Sequence, residues 1–179
     1  MNIWANTVLT DKGNSLLAKL TQGHTLNITR AITGAGFVTP GLLSKQTNVT
    51  DPKQSLVFRP VSYPEIGQCE MPVVLTNKGL ETGYTATQVG IFAEDPDEGE
   101  ILFFIAQAPD ENKGEEVPSE AEMSSFSTEW AFVTKYGQAD SVNVTVDPAN
   151  TVSRAEMEQY IKTEIVAITN EQIDAILAN

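Results

Sequence analysis

The chain has 179 residues, enough for one domain with its own core, and its 41% apolar share argues against wholesale disorder. Its formal net charge of −13 means that nucleic-acid phosphates and anionic lipid headgroups repel it, which excludes both as partners. A single cysteine, Cys69, and a single histidine, His24, exclude an intrachain disulfide and the usual zinc and iron ligand sets.

Near the start, Ile3 and Trp4 are large apolar residues that either dock into the core or meet a partner. Thr10 is placed to cap a short helix, with Asp11 at the positive end of its dipole. Leu16, Leu17 and Leu20 share a face of that helix, and Gly23 stands where a C-terminal cap belongs. Gly13 in the first turn weakens it. The period then changes to two. LNITRAITG (26–34) predicts a strand with Leu26, Ile28, Arg30 and Ile32 on one face, and Asn27, Thr29, Ala31 and Thr33 towards solvent. Gly34-Ala35-Gly36 ends it, and residues 37–54 read as loop with one helical turn near Leu42.

Further strands are expected at 55–63, 68–76, 85–93, 101–108, 126–136 and 141–147, separated by turn signals such as Asn77-Lys78-Gly79 and Asp97-Glu98-Gly99. Short strands so punctuated point to a sandwich or a barrel-like sheet. Pro60, Pro64 and Pro72 mark edges, bulges or irregular strands. The end is helical again. Ser153 to Glu156 and Thr169 to Gln172 are capping boxes, and they predict helices at roughly 154–168 and 170–177. Met157, Ile161, Ile165 and Ile168 form the stripe of the first, and Ile173, Ile176 and Leu177 that of the second. Helices this short need something to pack on: other copies of the chain or its own sheet.

Eleven acids and one lysine fall within residues 94–122, a net −10 of the chain's −13. Glu94, Asp95, Asp97, Glu98 and Glu100 lie between two apolar runs. An EF-hand would need a longer loop and a Glu six residues past the glycine, where Ile105 stands instead. The hairpin reading explains both flanks and the Asp-Pro and Asp-Glu-Gly steps, and a charged tip guards two apolar strands from misassociation. Nothing singles out a pair of carboxylates for glycoside hydrolysis. A nucleophilic triad would need His24, which reads as a loop residue. Gly34-Ala35-Gly36 lacks the rest of a phosphate loop. Cys69 and Trp130 read as strand residues of the core. The sequons at Asn27, Asn48 and Asn143 read as by-products of Thr-rich strands. No cofactor is expected.

The pattern as a whole adds a further reading. WANTVLTDKGNSLLAKLTQGHTLNITRAITGAG and PVVLTNKGLETGYTATQVGIFAEDPDEGEILFFIAQ, with VPSEAE and FSTEWAFV, resemble the phage tail-collar fibre family over about residues 3–147. The ending ITNEQIDAILAN is similar to a terminal motif of short proteins from Gram-positive, Firmicutes-type prophages, which implies a complete chain. The resemblance implies a virion structural protein without catalysis, made in the bacterial cytoplasm and built into a phage tail or baseplate. Such domains attach a fibre or receptor-binding protein to the baseplate, usually as homotrimers. Family members often continue into a shaft and a receptor-binding tip; this chain does not, so a short adaptor fits better.

The expectation is therefore a mainly β protein with helices (α+β). An antiparallel β-sandwich-like domain with one N-terminal helix spans 1–147, and a helical tail spans 148–179. The tail stripes, Met157 to Leu177, are the expected oligomer interface, most simply of a trimer. Ile3, Trp4, Asp95, Asp97 and Glu98 are the expected contact with a basic surface of a baseplate partner. The alternatives from other classes are a carbohydrate-binding module that recognises a host receptor and a wall-degrading hydrolase.

Overall fold

The computed structural model describes residues 3–4, 6–20, 25–136 and 141–144. Ten strands run through these residues: β1 (Asn6–Leu9), β2 (Thr25–Gly34), β3 (Pro52–Phe58), β4 (Gln68–Thr76), β5 (Tyr84–Ala86), β6 (Gln88–Asp95), β7 (Gly99–Gln107), β8 (Glu115–Val117), β9 (Ser127–Lys135) and β10 (Ser141–Val144). One α-helix, α1 (Asp11–Lys19), and one 3₁₀ helix (Pro40–Lys45) complete the set. The protein is thus mainly β with few helices, and nearly all its strand pairs are antiparallel.

The strands follow the order β1-β7-β6-β2-β3-β4-β9. The sheet curls at β3, which pairs with β2 through Ser55 and Leu56 and with β4 through Val57 and Phe58. Curling brings the two ends of the path face to face, so Phe104 of β7 meets Phe132 of β9 at 5.7 Å between ring centroids. At Pro72 of β4 the ladder to β3 gives out: Arg59 donates to its carbonyl, but the proline has no N–H to return. β10 is the exception to antiparallel pairing. It runs parallel to β2, with Val142 opposite Leu26 and buried in the core.

Two bulges decide which side chains face the core. Between Ile28 and Arg30 the β2–β6 register slips by one, so Thr29 is an extra residue. Leu26, Ile28 and Ala31 therefore share the main core, while Ile32 lies in a second cluster on the opposite face. This corrects the face predicted from strict alternation: Ala31 and Thr33 are buried, and Arg30 leaves the Leu26 face to lie over the Phe92 ring at 3.8 Å. A second slip between Ile91 and Phe92 makes Phe103 the extra residue of β7. Consecutive Phe103 and Phe104 can then both enter the main core.

The segment after β2, including the 3₁₀ helix, folds over the outer face of the sheet. Leu43 and Val49 pack there on Ile32, Phe92, Leu102 and Ile105. β6 and β7 are thus covered on both faces, which is why they read as continuous apolar runs. Two buried glutamines pin this cover. Gln88 accepts from the Thr50 N–H at 2.6 Å and donates to Gln107 at 2.7 Å. Gln107 in turn donates to the Val38 carbonyl at 2.9 Å and accepts from the Val38 N–H at 3.0 Å. Gln107→Leu leaves the Gln88 amide and the Val38 backbone groups without this partner, so it should cost about 1–3 kcal/mol in urea titration, with faster amide exchange confined to residues 36–50. Uniform exchange across the sheet would contradict this role.

Elsewhere the structure redraws predicted boundaries. Strand 55–63 runs instead from Pro52 to Phe58, and strand 85–93 divides at Thr87. There the chain changes partners: the Thr87 N–H donates to Gly34, and its hydroxyl to Gly36. β5 leaves the main sheet to pair with β8. β1 and β8 are too short to leave a periodic signal.

Candidate functional site

The acid cluster sits where expected, at the β6–β7 hairpin tip, with Gly99 at a φ of +77° closing the turn. What the structure adds is a set of cations. Lys19 of α1 donates to both carboxylate oxygens of Asp95, at 2.8 and 2.9 Å, and reaches Asp97 at 3.0 Å. Lys12 of the same helix pairs with Glu98 at 2.5 Å. Arg30 pairs with Glu100 at 2.8 Å, and the Thr29 hydroxyl donates to the same carboxylate at 2.7 Å. The tip is clasped by α1 and β2, and four of its five acids form ion pairs with three cations, Lys19 being shared by Asp95 and Asp97.

Asp95 is the keystone of the clasp. Its side chain is 1% exposed, and its Oδ1 also accepts from the Asp97 and Glu98 backbone N–H groups at 2.9 and 3.1 Å. The Lys19 ammonium, helped by those N–H groups and opposed by burial, holds the Asp95 carboxyl below its ordinary 3.8. Hydrogen bonds to Asp95 and Asp97 raise Lys19 above its ordinary 10.5. For Glu100, burial pushes upward, but the bonds from Thr29 and Arg30 outweigh it and the net direction is down.

The sign for stability follows. A lowered carboxylate contributes stability that is present above its ordinary value and is lost as pH falls through the lowered one. A raised lysine contributes stability below its ordinary value and loses it as pH rises through the raised one. The clasp is therefore at full strength between about pH 5 and 9. Asp95→Asn should flatten the acid limb of the stability–pH curve and leave its shape near neutrality unchanged. An unaltered acid limb would show that the clasp does not contribute to it.

Of the residues expected at a partner contact, two are turned inward. Trp4 is buried, edge-on to Trp130 at 4.9 Å and beside Phe132 at 6.2 Å, because its ring fills the gap between the two ends of the curled sheet. Asp95 is buried against Lys19, which removes it from any surface that a partner could touch. Ile3 is half-buried against the main core, and Asp97 and Glu98 stay exposed within their ion pairs. Met157, Ile161, Ile165, Ile168, Ile173, Ile176 and Leu177 lie outside the described residues, as do Gly23 and His24. Lys12 and Lys19 carried a usable signal: seven residues apart, they fall on one face of a helix.

A second feature lies away from the tip. An open groove of about 560 Å³ is lined by Tyr84, Val117, Pro118, Met123 and Phe126, with Glu116 and Glu122 among its polar walls. A smaller hollow of about 340 Å³ shares Phe126 and is bordered by Asn77, Lys78 and Glu120. Local bonds set the walls. The buried Asn77 amide donates to the Pro118, Ser119 and Met123 carbonyls at 3.1, 3.2 and 2.6 Å. The Glu122 carboxylate accepts from the Ser119 N–H and hydroxyl at 2.9 and 2.8 Å, and these two bonds lower its pKa. Tyr84 is fixed from behind by Thr33 and Gln54, at 2.8 and 2.9 Å, and burial raises its phenol. VPSEAE (117–122) and Gly83-Tyr84 are visible in the sequence, but that they line one groove is not, because the lining is assembled from β5, β8 and the turn after β8.

Among the described residues, no group of three or more His, Cys, Asp or Glu side chains is arranged to hold a metal ion, and no helix is long and apolar enough to cross a membrane. No protein-family model, no curated protein and no solved structure matches the chain.

Proposed function

We propose that the protein is a structural part of a phage or phage-like tail, which attaches a fibre or receptor-binding protein to the baseplate. The observation that carries this reading is the resemblance to tail-collar fibre proteins, spread over many segments of residues 3–147. Those segments lie far apart in the chain yet meet in the fold. VLTDKG spans the junction of β1 and α1, β1 pairs with β7, and β2 and β7 flank β6. Pieces of one shared fold would be expected to meet in this way. The paired acids of the hairpin tip and the buried Trp4 suit a rigid building block.

On this reading the chain assembles as a homotrimer through the stripes of its C-terminal segment, and its site of action is the tail tip or baseplate. The experiment starts from a strain that carries the gene. Particles induced from it and purified by density gradient should contain the chain in a fixed ratio to baseplate proteins. Deleting the gene should yield particles without fibres. Complete, adsorbing particles from the deletion strain would overturn the proposal. Light scattering of the purified chain should give three times the chain mass, and Ile161→Asp with Ile165→Asp should reduce it to a monomer. Retention of the chain on host cell walls without a particle role would favour the carbohydrate-binding alternative.

A further inference from the structure

We infer that the groove between β5, β8 and the turn 118–126 is a docking site for a cationic segment of another protein, one that also carries an apolar side chain. The inference rests on the groove and its charge, and it stands apart from the tail reading.

Two blocks make up the acidic stretch of the chain, and the fold treats them differently. In the tip block, Lys12, Lys19 and Arg30 meet the carboxylates. In the second block, Asp110 pairs with Lys113, but Glu111, Glu115, Glu116, Glu120 and Glu122 form no ion pair among the described residues. Three of these unpaired acids border the groove and its neighbouring hollow: Glu116, Glu122 and Glu120. Lys78 borders the smaller hollow, but the larger groove has Glu116 and Glu122 and no lysine or arginine in its lining, so negative potential remains where the surface is also concave and apolar.

The apolar part is real surface. Met123 is 54% exposed, and Phe126 and Tyr84 are half-buried along the same groove. An apolar centre with a charged rim is the usual anatomy of a specific interface, in which the anchor supplies the affinity and the rim supplies orientation and on-rate. Interface walls that are already fixed keep the ordering cost of binding low. Here the Asn77 amide and the Ser119–Glu122 pair fix them.

Charge also selects the occupant. Residues 145–179 carry six acids against Arg154 and Lys162, so their net charge has the same sign as the rim and is no match for it. A second copy, at −13 overall, offers this rim no charge match either. The match is a lysine- or arginine-bearing segment of a different protein with one aliphatic or aromatic anchor.

The test selects binders from a yeast-displayed library of random 12-residue peptides, with the full-length protein as bait. Enriched peptides should be net positive and carry a large apolar residue. Their affinity should fall at least about tenfold with Met123→Asp and about three- to tenfold with Glu116→Lys. Glu94→Lys, at the exposed side of the hairpin, should leave it unchanged. Raised salt should weaken binding in the parent and less so in Glu116→Lys. The library yielding no enriched peptide would overturn the inference. So would neutral or acidic winners, or binding that survives Met123→Asp in a variant whose far-ultraviolet circular dichroism is unchanged. Self-association of the parent that Met123→Asp abolishes would overturn it in favour of a second copy. Loss of fibres from a deletion strain bears only on the tail reading, and peptide selection bears only on the groove.

Discussion

Gly13→Ala should lower the folding stability by about 2–4 kcal/mol in urea titration, although alanine is the better helix former by about 1 kcal/mol. The reason is the approach of α1 to β7. A Cβ on Gly13 would stand 2.0 Å from the Phe103 carbonyl oxygen; the Cβ position is fixed by the helix backbone and the carbonyl is itself backbone, so neither can rotate away. The helix must lift. Lifting it stretches the N-cap, where the Thr10 hydroxyl accepts from the Gly13 N–H at 2.9 Å and donates to the Leu102 carbonyl, while the Thr10 N–H donates to Phe103 at 3.1 Å. Loss of such a cap costs about 0.5–2 kcal/mol, and Leu16, fully buried beneath the helix, would lose packing as well. Ser15→Ala on the exposed side of the same helix should stay within about 0.5 kcal/mol of the parent. A Gly13→Ala protein more stable than the parent would mean that α1 stands off β7.

Trp4→Ala should be worse still, at about 3–5 kcal/mol, the range for emptying a buried aromatic site. The ring helps to join two parts of the curled sheet, where Phe104 of β7 also packs on Phe132 of β9. It meets Trp130 and Phe132 of β9, while the chain continues directly into β1 at the other end of the strand order. A perpendicular pair of indoles 4.9 Å apart also couples optically, so the variant should lose an exciton feature in its circular dichroism. If Trp4 instead served a partner, its removal would leave both the stability and the spectrum of the isolated chain unchanged. Trp4→Phe, which keeps an aromatic in the site, should recover part of the stability but not the exciton feature.

The elements that were legible in the sequence are those whose signals are local. Thr10 announces its helix because an N-cap needs only a hydroxyl and the next turn. Strand Gln68–Thr76 appears at its predicted bounds. The β6–β7 hairpin is announced by its acids, and Gly99 by the turn it closes. Composition alone excluded a disulfide framework, and residue order placed most of the excess charge in one stretch.

Tertiary structure decided what local pattern could not. Alternation misplaces Arg30, Ala31 and Thr33 because one extra residue at Thr29 reverses every face beyond it, and a bulge is set by the neighbouring strand. Gly13 reads as a weakness in a helix and is in fact the residue that lets the helix lie on β7. The two acidic blocks look alike in sequence. Only the fold brings Lys12, Lys19 and Arg30, from 70 to 86 positions away, to pair with four acids of one block and leave most of the other without ion pairs beside a groove. The sequence by itself determined the element types and the sum of the charge. Which charges are paired, and which apolar residues stay exposed instead of joining the core, depends on long-range proximity, and that exists only once the sheet has curled.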